Sequence, residues 1–297
     1  MEARASIEDT DGGRLWRQLE GLDDMIGIFQ FGVTDLLDEI CLFGDRSKNL
    51  EFWLKANADE EQVHTRAVKR KLFNCTSALM ALVDHARNFQ RQIPVEKYNE
   101  RLKEEFSSPG LHEFMKCFRN YNTHWRIAQT NWSITNNVVE KKREARFLVT
   151  KDELLAWGGW SVGAKKFIDL SGDAIDLYKL FSEYRKNVQS FYAWHKGSVL
   201  DEYAGVIGCY LEYKRIYEGI NKRLAWSMLI SQAKRCTNPY QFISSYLSMD
   251  RLERLLAYNH RSEEQVDALI RMMDMEDFCD EKLRQELLLF FSPSNQV

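Results

Sequence analysis

LHEFMKCFRNYNTHW, residues 111–125, reads as one amphipathic helix. At about 100° per residue, Leu111, Phe114, Phe118, Tyr121 and Trp125 fall within an arc of roughly 80°, while Arg119, Asn120 and His124 lie outside it. The spacing predicts a buried aromatic stripe, with the three polar residues turned towards solvent, a groove or a partner. Asn120 and His124 stand one turn apart and can touch; Arg119 reaches His124 only through its long side chain or through fraying at the helix end. Either the trio is a reactive constellation or it is the wet side of a helix.

Upstream, Leu72, Thr76, Leu79, Val83 and Ala86 recur in alternating steps of four and three, which predicts a long helix over 59–91 that Pro94 closes. Pro94 can open the next helix, and Ser107-Ser108-Pro109-Gly110 ends it. An earlier helix is expected from Leu15 to Phe43, broken at Gly27 or Gly32, behind a flexible N-terminus over 1–13 that ends in Gly12-Gly13.

Downstream, the β-branched runs WSITNNVV and RFLVT, separated by the charged EKKREA, predict a hairpin within 131–150 as the only sheet. Lys151–Trp157 reads as helix, and Gly158, Gly159 and Gly163 loosen the path around Trp160. Ser171 and Asp173 can cap a helix whose Leu177, Phe181, Tyr184, Val188, Phe191 and His195 share one face, with Gly197 ending it. Tyr203, Val206, Tyr210, Tyr213, Tyr217, Ile220 and Leu224 then keep a/d spacing, the pattern of a helix packed within the chain or of a dimer seam. Shorter helices are expected near 239–258, 262–275 and 280–291, with Ser262 and Gln265 as a capping box and Asp280 as a cap.

With only 4 prolines in 297 residues, the expected class is mainly α. The expected organisation is a helical domain over 14–197 carrying the hairpin, then an all-α region over 198–297. Continuous helix packing can bridge the boundary at Lys196–Ser198. The 41 basic and 44 acidic residues exclude a polycation that holds nucleic acid non-specifically, so any RNA contact must be local. The 6 cysteines are scattered without a C-x-x-C pair, which argues for reduced, mostly buried thiols and against a zinc ribbon or disulfide framework. No signal peptide or membrane-length apolar run is present, and a cytoplasmic protein is expected.

Arg119, Asn120 and His124 in RNYNTH resemble the R-x4-6-H motif of the HEPN superfamily, often written with asparagine after the arginine; the likeness spans about residues 60–195. It implies a HEPN-like helical bundle and a metal-independent endoribonuclease with Arg119, Asn120 and His124 as catalytic residues and no cofactor or metal. It further implies RNA as substrate, a homodimer that brings two histidines to one phosphate, a protein antitoxin or activator, and a toxin or phage-defence role. The hairpin and the long C-terminal region depart from minimal family members.

The chemistry suits the residue types. RNA cleavage without metal needs a base for the 2′-hydroxyl proton and a cation for the phosphorane-like transition state. An imidazole titrates near neutrality, and a guanidinium fork matches phosphate oxygens. About one R-x4-6-H match is expected by chance in such a chain, and Arg254 to His260, lacking the asparagine, is a second one. The alternative is a non-catalytic α-helical protein-interaction module. The basic runs at 69–71 and 140–146 can guide RNA or simply be solvated surface.

Other constellations carry less. Glu61 and His64 form a single E-x-x-H, half of a di-iron motif and ordinary helix surface otherwise. Asp84, His85, Arg87 and Asn88 can line a site against the motif helix or make surface contacts. His195 reads as a packed or helix-end histidine, His112 as a first-turn residue. Phosphate-loop, nucleophile-elbow, zincin and EF-hand motifs are absent.

Overall fold

Long runs of Leu, Ala, Glu, Lys and Arg with few prolines produce long helices, and the computed structural model is mainly helical. It describes residues 2–54, 58–128, 131–137, 142–233, 243, 247–260 and 262–291. The chain divides into two compact units, Arg14–Ala204 and Met1–Gly13 with Gly205–Val297.

The first helices are α1 (Glu2–Glu8), α2 (Asp11–Arg46), α3 (Ala58–Gln92), α4 (Tyr98–Glu105) and α5 (Leu111–Asn120). The N-terminus thus forms a helix where a flexible segment was expected, and Gly12 is buried. A Cβ there would lie 2.5 Å from the Val206 carbonyl oxygen, so the chain start is seated closely on the 206–210 backbone. α2 runs through Gly27 and Gly32 unbroken because its apolar stripe, including Phe29, Val33, Leu36 and Phe43, is fully buried. Tertiary burial outweighs the roughly 1 kcal/mol that a helical glycine costs. In α3, Leu72, Thr76, Leu79, Val83 and Ala86 are all buried, as their spacing predicts.

The strands β1 (Asn131–Asn137) and β2 (Lys142–Thr150) pair antiparallel, Trp132 opposite Phe147. The charged stretch expected to be the turn therefore supplies paired residues of β2 from Lys142 onward; 138–141 lie outside the described residues. A third strand, β3 (Ala174–Asp176), pairs Ile175 with Val149, so the hairpin becomes a three-stranded sheet. Phe147, Val149 and Ile175 bury one face, and the Trp132 ring stacks on Phe43 with centroids 3.4 Å apart.

Between β2 and β3 lie α6 (Lys151–Leu155) and α7 (Val162–Leu170), the latter a helix where a glycine-loosened path was expected. Ser161 caps it by accepting from the Ala164 N–H. Gly163 instead serves close packing: a Cβ on Gly110, itself at φ +78°, would sit 2.1 Å from the Gly163 carbonyl oxygen. Only glycine fits at the start of α5.

α8 (Leu177–Glu202) is capped by Asp176, not by Ser171 or Asp173, because 174–176 are taken up as strand. It buries Leu177, Phe181, Tyr184, Val188, Phe191 and His195 along one stripe and passes Gly197 without stopping. In the second unit, α9 (Ala204–Ala233) is followed by α10 (Met249–Leu256), α11 (Glu263–Met272) and α12 (Glu281–Phe291). Residues 239–242 and 244–246 of the expected tail helix lie outside the described residues. The core of this unit gathers Trp226, Ile230, Leu255, Leu269 and Leu283. Ser262 accepts from Gln265 N–H, but the Gln265 amide bonds the Leu255 carbonyl, so only half of the capping box forms. Asp280 accepts from Leu283 N–H as expected of a cap.

The a/d seam on α9 is only partly packed among the described residues. Tyr210 is buried and Tyr203 and Tyr217 are half-buried, but Val206, Tyr213, Ile220 and Leu224 are exposed. Thiol placement also differs from expectation: Cys41 and Cys209 are exposed, Cys75 is buried, and Cys236 lies outside the described residues.

Candidate functional site

The motif helix buries Leu111, Phe114 and Phe118 against its neighbours, α3 and α7. Phe114 stacks on Trp160 with centroids 5.2 Å apart. Its last residues, Arg119 and Asn120, hand over to a π turn spanning Tyr121–Trp125, closed by a bond from Arg126 N–H to the Tyr121 carbonyl at 3.1 Å. Such i→i+5 turns take up an extra residue and recur at functional sites.

That extra residue explains where the 3.6-residue repeat fails. Trp125, expected on the buried stripe, is 53% exposed, and Asn122 is buried in its stead. Side chains of the turn reach back to carbonyls of α5. Asn122 Nδ2 donates to the Phe118 carbonyl at 2.9 Å, and Thr123 Oγ1 donates to the Arg119 carbonyl at 2.9 Å. Asn122 Oδ1 also accepts from Ala128 N–H at 3.0 Å, tying the turn to the chain leaving it.

Beneath the turn, Tyr121 donates to Glu153 Oε1 at 2.6 Å, and Arg126 pairs with Glu153 Oε2. Burial first, and the Glu153 bond second, push the Tyr121 hydroxyl up to about 12, so it remains a donor. Tyr121, Asn122, Arg126 and Glu153 are therefore the frame of the site; from sequence only Tyr121 was singled out, as part of the buried stripe. The one readable signal was T-x-x-E at 150–153, where Thr150 accepts from Glu153 N–H at 3.3 Å and seats that carboxylate at the start of α6.

On this frame Arg119 is half-buried and donates from Nη1 to Asn120 Oδ1 at 3.0 Å; its Nε is buried without a partner. Asn120 and His124 are exposed. The structure joins Arg119 to Asn120, whereas His124 makes no hydrogen bond or ring contact among the described residues and is joined to neither. The accidental match behaves differently: Arg254 pairs with Asp250 at 2.6 Å, and His260 stands beyond the end of α10.

The remaining candidates resolve into structure. His64 binds Glu39, at 2.7 Å, and not an iron-type set with Glu61. Burial alone would raise the Glu39 carboxyl, but the bonds and charges of Lys71 and His64 hold it below its ordinary value. Lys71 of the first basic run is thus already engaged, at 2.9 Å. His85 and Asn88 line a cleft of about 220 Å³ with Gln18 and Leu22, on the α2 side of α3 and not against the motif helix. His112 bonds the Tyr184 hydroxyl at 2.9 Å. His195 is enclosed by Phe89, Tyr98 and Phe191, with both ring nitrogens unpartnered.

Among the described residues no cluster of three or more His, Cys, Asp or Glu is arranged to hold a metal, and no helix is long and apolar enough to cross a membrane. No protein-family model matches the chain, and no curated protein or solved structure matches it either.

Proposed function

We propose that the chain is a HEPN-like, metal-independent endoribonuclease that acts as a homodimer in a toxin or phage-defence role, held in check or triggered by a protein antitoxin or activator. The observation that supports this reading is the unengaged, exposed His124 imidazole on a π turn that directly follows the bonded Arg119–Asn120 pair. In the proposed reaction His124 takes the 2′-hydroxyl proton and the 2′-oxygen attacks phosphorus. The bond to the 5′-oxygen breaks, and that oxygen leaves with a proton from the second histidine of the dimer. Arg119 carries the charge that builds on the phosphoryl oxygens, and Asn120 holds the guanidinium in place. The products are a 2′,3′-cyclic phosphate and a 5′-hydroxyl.

The test is cleavage of a fluorescent structured RNA in EDTA by wild type and by His124→Ala, with the 3′ ends of the products identified. Cleavage to cyclic phosphate that drops by about 10³-fold or more in the variant supports the reading. RNA left intact by wild type, alone and with a panel of protein activators, rejects it. The second reading, a non-catalytic protein-interaction module, is favoured by a separate observation, the exposed apolar face of α9.

A further inference from the structure

One side of α9 is committed to its own unit. Arg215 pairs with Asp277 and Arg223 with Asp280, and Gly219 admits the Phe278 ring where a Cβ would lie 2.2 Å from it. Lys222 donates to the Met273 carbonyl at 3.1 Å, and Trp226 and Ile230 enter the core. At about 100° per residue these positions leave the opposite arc to Val206, Tyr213, Ile216, Ile220, Leu224 and Met228. Each of those six is between 39% and 61% exposed. The stripe extends over about six turns, long enough for another helix to lie along it.

We propose that this stripe is the interface between two copies of the chain, α9 packing on α9. Area is the first reason. With residues of roughly 150–230 Å², the six expose on the order of 500 Å² per chain, so a pair buries about 1,000 Å² of apolar surface before any polar rim is added. A specific dimer interface totals about 1,200–2,000 Å², and a patch of this size is near the upper limit for a monomer. Charge is the second reason. The charged flanking positions are Glu212, Lys214 and Arg223, and each is engaged within the chain, Glu212 with Arg215, Lys214 over the Tyr210 ring and Arg223 with Asp280. A stripe with so little free charge meets its own copy without repulsion and has no charged rim to select an acidic or basic partner. A two-fold axis matches the stripe to itself.

The proposal does not rest on RNA cleavage. The test is the molar mass of the full chain by light scattering, for wild type and for the double substitution Ile220→Glu with Leu224→Glu. Wild type is expected at twice the 35.0 kDa chain mass, and the double variant at the single-chain mass with unchanged helicity. A photo-cross-linker at position 220 is expected to give a covalent dimer, and one at the exposed Tyr178 of α8 is not; this arm decides alone if the double variant loses helicity. A monomeric wild type overturns the proposal, as does a dimer that survives both glutamates in a folded chain. A dimer that leaves RNA intact keeps the surface and rejects the nuclease; His124-dependent cleavage by a monomer does the reverse.

Discussion

The buried histidines are single residues whose surroundings set a pH limit on the fold. Burial lowers His195 to about 4, and no hydrogen bond offsets it because neither ring nitrogen has a partner. His112 is also lowered to about 4, first by burial and then by the Lys116 charge. The unfolded chain binds a proton near pH 6.5 and the folded chain only near 4, so stability is full above about 6.5 and falls as pH drops towards 4. For His195 the loss over that window is about 3 kcal/mol. Replacing it with leucine removes a proton site without orphaning any hydrogen bond. His195→Leu is therefore expected to raise the urea midpoint at pH 5 and to flatten its dependence between pH 7 and 4.5. An unchanged pH profile would show that the ring is hydrated in solution.

Among the elements, the π turn has the widest consequences. It adds bonds from the Asn122 and Thr123 side chains to the last carbonyls of the motif helix, and it sets the direction from which His124 leaves the backbone. Asn122→Ala strips the partner from the buried Ala128 N–H and one of two donors from the Phe118 carbonyl, so a stability loss of about 1–3 kcal/mol is expected in denaturant titrations. Asn120→Ala, at an exposed position, is expected to stay within about 0.5 kcal/mol of wild type. Equal effects at the two asparagines would mean that the turn is not held as described. The sheet makes the same point about neighbours. Lys142 to Ala145 read as a turn on charge alone, yet pairing with Ile134 to Asn137 makes them strand, because backbone bonds to an adjacent strand outweigh local preference.

On the scale of the whole molecule, charge limits what RNA binding can look like. The net charge is -3, and several cations are already paired internally, among them Arg126 with Glu153, Lys71 with Glu39 and Arg284 with Asp267. Across the chain carboxylates outnumber cations, so phosphates can be met only by a local group of them. If RNA binds, about three or fewer phosphate contacts are expected, which limits the loss of affinity between about 50 and 200 mM salt to roughly twentyfold. Filter binding of a single-stranded RNA across that range measures the slope, and a loss above about a hundredfold would place the RNA on a basic surface other than the motif face.

The sequence alone determined the mainly helical class, the course of α3, the buried stripe of α8 and the exposure of Asn120, since each follows from the period of apolar residues along a single element. Tertiary structure decided what depends on a neighbour. α2 continues through its glycines because its stripe is buried, β3 exists because β2 offers it an edge, and α7 forms where glycines allow close approach to α5. Asn122, not Trp125, turns inward because the backbone widens by one residue, a change that no side-chain period records. The a/d spacing on α9 announced a helix seam but not its partner: the Gly205–Val297 core is built largely on another face, so Val206, Tyr213, Ile220 and Leu224 of the seam are left on the surface.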